Sequence, residues 1–209
     1  MKFVTSVILF IAATAFAYAV YVNDHSLNTV LESPVATSTP IDEGTSTIEH
    51  VNDALGFSIV RPKTSEIQTG NFDGYLSVTQ TPVIGVTLAH EMFTGTNLSD
   101  VGVYIGASSS KSVLASCLKA SKDTDEKAAS STLIGTTQFA TFTSVGVGAG
   151  NTYEEKTYRA LHDGRCYEIA ELLHSGNIGN YPDGTVVQFD HAKFSGYLED
   201  IAKTFVFTK

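Results

Sequence analysis

Residues 158 to 175 read YRALHDGRCYEIAELLHS, and the reading of this stretch decides the fold. Asp163-Gly164 suits a two-residue type I′ turn, because both central positions of that turn need positive φ. A two-residue turn fixes the register of the strands on either side. It pairs His162 with Arg165, Leu161 with Cys166 and Arg159 with Glu168. An Arg opposite a Glu on adjacent strands is a favourable cross-strand pair, and Leu161, Cys166, Ala170 and Leu172 then share one face. The stretch therefore predicts a hairpin inside an antiparallel sheet, with Cys166 pointing into an apolar layer.

Working outward, candidate strands lie at Tyr75 to Thr79, Val83 to Leu88, Val101 to Ala107, Gln138 to Val147 and Thr152 to His162, after an opening strand in LGFSIVRP that Pro62 stops. The run SSSKSVLASCLKASKD changes period. Val113, Leu114, Cys117 and Leu118 form one apolar face of a helix that Ser109 or Ser110 could cap and that ends near Asp123. A second helix is expected from about His191 to Lys203, capped by Asp190, with Phe194, Leu198 and Ile201 on one stripe. The chain closes on the strand TFVF. Most connections are too short for parallel crossovers, so the expected class is α+β, an antiparallel β-sheet flanked by two or more helices.

Cys117 and Cys166 are the two cysteines of the chain. Each falls on an apolar face, and a helix packed on the sheet brings them within bonding reach. One disulfide is expected, closing a loop of about 50 residues that the chain-entropy model values at roughly 4 kcal/mol. A nucleophilic thiol would need an accessible, electropositive site and a base, which an apolar layer does not supply.

The N-terminus carries the address. Residues 3 to 22, FVTSVILFIAATAFAYAVYV, follow Lys2 and contain no charge. They read as an export signal. Ala17-Tyr18-Ala19 fits a cleavage site after Ala19, while the run is also just long enough to remain as a hydrophobic membrane helix. Both outcomes put the rest outside the cytoplasm, either membrane-anchored through residues 3–22 or secreted. Residues 23 to 51, rich in Ser, Thr and Pro, read as a linker, and residues 52 to 209 as one folded domain.

The opening GFSIVRP strand, the late hairpin, a long loop, a helix and a closing TFVF strand resemble the PsbP-like domains of exported proteins, over roughly residues 54 to 207. The stretch GAGNTYEEKTYRALHDGRCYEIAELLHSGNIGNYPDG is similar to the C-terminal part of uncharacterised membrane-anchored bacterial proteins of that architecture. The resemblance implies an α/β/α sandwich and an extracytoplasmic address. It implies no catalytic set.

Motifs for chemistry fail on inspection. HEMFT at His90 has Thr94 where a zinc protease helix places its second His. DTDEKA from Asp123 has Ala128 and Ile134 where a calcium loop needs Gly and Glu, and reads as a solvated helix end. GVGAG at Gly146 to Gly150 lacks the third fingerprint glycine. Ser108-Ser109-Ser110-Lys111 has the S-x-x-K spacing of serine acyl enzymes without their supporting motifs. His162 and His174 lie about 30 Å apart along the hairpin, too far to share a metal. No cofactor is expected. The net charge of −9, with scattered Lys and Arg, argues against nucleic acid.

What remains is binding. The loop HSGNIGNYPDG is long and projects from a braced hairpin, so His174, Asn177, Asn180, Tyr181 and Asp183 form the candidate binding loop, with an extracytoplasmic protein as the partner. The alternatives are an exported hydrolase, which a deep pocket with convergent polar groups would favour, and an inhibitor of an extracellular hydrolase. Asn97-Leu98-Ser99 matches a glycosylation acceptor.

Overall fold

Asp163 and Gly164 adopt φ of 45° and 68° in the computed structural model, which describes residues 46–70 and 75–209. The turn joins β8 (Asn151–His162) to β9 (Arg165–Gly176), and the register is the one the turn dictates: His162 with Arg165, Leu161 with Cys166, Arg159 with Glu168. The other edge of β9 pairs with β5 (Leu98–Ser108), so β9 is a central strand. Beyond β5 lie β4 (Pro82–Thr87) and β3 (Glu66–Thr69), and beyond β8 lie β7 (Thr137–Gly148) and β6 (Lys127–Ile134). The seven strands run β3-β4-β5-β9-β8-β7-β6, with every neighbouring pair antiparallel. A smaller sheet, β1-β2-β10, joins β1 (Thr47–Asn52), β2 (Phe57–Pro62) and the closing β10 (Val206–Phe207).

Because side chains alternate along a strand, β9 serves two apolar layers. Tyr167, Ile169 and Leu173 belong to the main core, together with Phe57, Ile59 and Phe205 and with Phe194, Leu198 and Ile201 of the helix His191–Lys203. That helix has the predicted extent and cap, with Asp190 Oδ1 accepting from the Lys193 amide. Cys166, Ala170 and Leu172 point the other way, into smaller clusters with Val78, Cys117, Leu76 and Tyr104.

The second layer corrects the expected class. Among the described residues the helix at SSSKSVLASC spans only Lys111–Ser116; we call it α1 and the helix His191–Lys203 α2. The protein is mostly antiparallel β-sheet, and not an α+β sheet flanked by two or more covering helices, nor the sandwich that the PsbP-like resemblance implied. Ser110 does cap α1, its side chain accepting from the Val113 amide. Beyond Ser116 the Arg159 guanidinium satisfies two of the carbonyls left without helical partners, Cys117 O and Lys119 O, and Cys117 is bonded to β9.

Residues 75 to 81, expected to include a strand, lie over the same face without pairing into the sheet. The backbone amides of Val78 and Thr79 donate to the Glu168 carboxylate of β9, so a side chain takes the place of a neighbouring strand. DTDEKA is a turn that enters β6 rather than a helix end. The signal or anchor at residues 3–22 lies outside the described residues, as does most of the linker, whose last residues overlap β1. No helix among the described residues is long and apolar enough to cross a membrane.

Candidate functional site

The predicted loop spends most of its polar groups on its own hydrogen bonds and ring contacts, with His174 on the end of β9 and Asn177 and Asn180 exposed. His174 stacks on Tyr153 with ring centroids 4.2 Å apart, and its Nε2 lies 3.2 Å from Asn151 Oδ1. Asn177 accepts from the Gly179 amide at 2.9 Å, and Asn180 donates to Gly150 O at 3.2 Å, tying the loop to the turn between β7 and β8. Tyr181 lies so close over Gly176 that a Cβ there would meet its hydroxyl at 2.6 Å. Asp183 is exposed. The structure brings these residues together as a self-stitched loop.

Asn97 clamps the same loop from beneath. Its side chain donates to Gly176 O at 2.7 Å and accepts from the Phe189 amide at 2.9 Å, and the residue is 2% exposed. The glycosylation reading is overturned, since the amide nitrogen that a glycan would occupy is buried and engaged.

Cys117 and Cys166 form a disulfide with Cα atoms 5.7 Å apart, both fully buried beside Val78, Val113 and Leu114. Next to it lies a charged brace that the sequence reading recognised only as a cross-strand pair. Arg159 is fully buried between Glu168, 3.6 Å from Nε, and Glu126, which it contacts closely through Nη2, and its guanidinium sits 3.9 Å from the Phe142 ring centre. Glu168 also accepts from Thr79 N at 2.7 Å, Thr79 Oγ1 at 2.8 Å and Ser77 Oγ at 2.9 Å, while the Ser77 hydroxyl also contacts Glu126. Every charge here has a partner of opposite sign, which a buried charge requires. The group holds the covering segments on the sheet.

The opposite face is different. Where α2 leaves the sheet toward β7, a hollow of about 220 Å³ opens, lined by Thr143 and Val145 of β7, Glu154 and Lys156 of β8, Glu171 and Leu173 of β9, and His191, Ser195 and Leu198 of α2. Leu173 and Leu198 belong to the main core, so its floor is an exposed end of that core. Val145, 62% exposed, forms the lip. Strand alternation places Glu154, Lys156 and Tyr158 on this face, and the hairpin register sets Lys156 beside Glu171.

The charges around the hollow fall into pairs, with one left over. Glu199 of α2 takes Lys203 at 2.7 Å and Lys156 at 3.3 Å. Its partial burial acts upward, but the Lys203 hydrogen bond and Lys156 outweigh it and hold the carboxyl below the usual range. Glu154 lies 3.1 Å from His191 Nε2. Ser195 Oγ donates to His191 O at 2.6 Å. Glu171, 5% exposed, accepts a 2.7 Å hydrogen bond from the Tyr158 hydroxyl at Oε1, and its other oxygen receives none among the described residues. Burial pushes its carboxyl up to about 7, against the downward pull of Tyr158 and Lys156. The Tyr158 phenol is pushed up in turn, by burial first and then by Glu171.

A wider groove of about 730 Å³ runs along the start of β6, past Lys122, Asp125, Lys127 and Ser144. Its buried member, Glu126, is already committed to Arg159. The 220 Å³ hollow is therefore the candidate site. Sequence reasoning missed it although one signal was present: the register that pairs Arg159 with Glu168 also pairs Lys156 with Glu171 on the other face.

These features define a disulfide-braced antiparallel β-sheet domain with an apolar hollow under its long helix. No family model matches the chain, and no curated protein matches it. Among solved structures it is similar to a protein from Bacteroides thetaiotaomicron VPI-5482, at 14% identity and a TM-score of 0.44, over 77% of this chain and 48% of that one. This chain thus spans about half the length of that protein, and a likeness at that level carries neither its fold nor a function across.

Proposed function

We propose that this domain is an extracytoplasmic binding or accessory module and not an enzyme, secreted or held at a membrane through residues 3–22. The disulfide is compatible with an oxidising, extracytoplasmic compartment. The observation that carries the binding reading is the hollow between α2 and β7 to β9. Its floor is apolar, few polar groups converge on it, and its charged residues are mostly paired with one another. Of the hydroxyls on its wall, Ser195 is turned back onto its own helix, and Ser144 donates to Glu155 at 3.4 Å, a long contact.

Ligand-observed NMR with the full-length, disulfide-bonded protein and a library of small apolar fragments tests this reading. Binders at millimolar strength or better are expected, and they should be lost in Ser195→Trp, which fills the hollow from α2. An absence of binders, or binders indifferent to the tryptophan, would sink it.

A second reading, an exported hydrolase, is favoured by one observation. Glu171 is held near the pKa that an acid catalyst needs at neutral pH, with Glu154 on the same wall. Turnover of extracellular esters or glycosides that disappears in Glu171→Gln would replace the binding reading with this one.

A further inference from the structure

We propose that the hollow recognises a small primary amine on a compact apolar body, with its ammonium against Glu171 and its body over Leu173, Leu198 and Val145. This rests on the binding reading above and names the ligand class.

The argument is an account of charges. Glu154 has His191, and Glu199 has both Lys156 and Lys203. Glu171 has only a neutral donor, the Tyr158 hydroxyl, and no ion pair reaches it among the described residues. Its remaining oxygen accepts no hydrogen bond from the described residues, and the residue lines the wall of the hollow. A buried carboxylate without a cation is costly, and a ligand ammonium supplies the missing charge while donating a charge-assisted hydrogen bond. An anionic ligand would instead meet Glu154 and Glu171 together, with Lys156 already engaged. The size also fits. An apolar cavity of about 150 Å³ takes benzene, so 220 Å³ accommodates a phenyl ring with a short tether.

The groups that face Glu171 are Tyr158 and Lys156 from β8 and Glu199 and Lys203 from α2. Lys156 and Lys203 lie on Glu199 rather than on Glu171, so a ligand ammonium does not have to displace a bound lysine. Pairing with an amine requires the ionised carboxylate. Below its pKa of about 7 the free site holds a proton that binding must expel, so amine affinity falls by up to about tenfold per pH unit there and is level above it.

Calorimetric titration of the full-length protein at pH 8 with phenethylamine, 2-phenylethanol and 3-phenylpropanoate tests the proposal. The amine is expected to bind at least about tenfold tighter than the alcohol, and the carboxylate weakest. Glu171→Gln should abolish the amine's margin over the alcohol, and wild-type protein at pH 5.5 should lose the same margin without any substitution. An amine no tighter than the alcohol, a margin that survives in Glu171→Gln, or a margin indifferent to pH would overturn the amine assignment and leave a binding hollow of other preference. If none of the three probes binds, the amine proposal falls, and the binding reading falls with it only where the fragment library also yields no binder.

Discussion

Glu168 and Glu171 are the same side chain three residues apart on one strand, yet they face opposite sides of the sheet and do opposite things. Glu168 is met by Arg159, by two backbone amides and by two hydroxyls, and in return it holds residues 77 to 79 on the sheet. Glu171 is met by one phenol and lines a hollow. Burial alone therefore does not mark a functional carboxylate. The satisfied one is a brace, and the under-satisfied one beside open space is the candidate site.

The largest expected effect lies on the braced face. Arg159→Met removes the cation between Glu126 and Glu168 and leaves two buried carboxylates facing each other. Urea unfolding should show a loss of about 3 to 5 kcal/mol. A change below 1 kcal/mol would mean that the carboxylates are compensated some other way.

Next comes the disulfide on the same face, whose cysteines are 49 residues apart. Replacing both with Ser should cost about 2 to 4 kcal/mol by the same assay. Losing this much without losing the hollow's ligands would separate brace from site.

On the other face the effect is a pH dependence of unusual sign. The folded Glu171 carboxyl is raised from 4.5 to about 7, so between those values the folded state holds a proton that the unfolded state has released. Stability from this group is therefore present at low pH and is lost as pH rises through that window, the reverse of a paired carboxylate. Between pH 5 and 7 wild-type protein should lose about 2 kcal/mol more than Glu171→Gln. Parallel profiles for the two proteins would show that the carboxyl is not raised.

The smallest effect tests the roof of the hollow. Asp190→Ala removes the cap of α2 and should cost about 1 kcal/mol, with little change on the braced face.

The contrast between the two carboxylates was only half legible in the sequence. Asp163-Gly164 fixed the hairpin register because a two-residue turn leaves one alignment, and α2 could be read from its cap and its apolar stripe. Those signals are local. The cover of the braced face was not legible, because residues 75 to 79 alternate like a strand while their amides go to Glu168, some 90 positions away. For α1 the apolar spacing continued past Ser116, but the chain turns there and its carbonyls go to Arg159, some 40 positions away. Nothing in the sequence singled out Glu171. Its isolation depends on where α2 leaves the sheet, which no neighbouring residue encodes. The loop after β9 was legible as a loop, though β9 runs on through His174 to Gly176, and its internal hydrogen bonds and its tether to Gly150 were not legible.

The central claim is that Glu171 is an unpaired carboxyl opening on a ligand site. Its most direct test is an NMR titration of the carbon-13-labelled glutamate carboxyls in the full-length protein, with and without saturating phenethylamine. The account predicts a Glu171 midpoint near 7 that falls by more than one pH unit when the amine is present. A midpoint near 4.5, or one that the amine does not move, would contradict it.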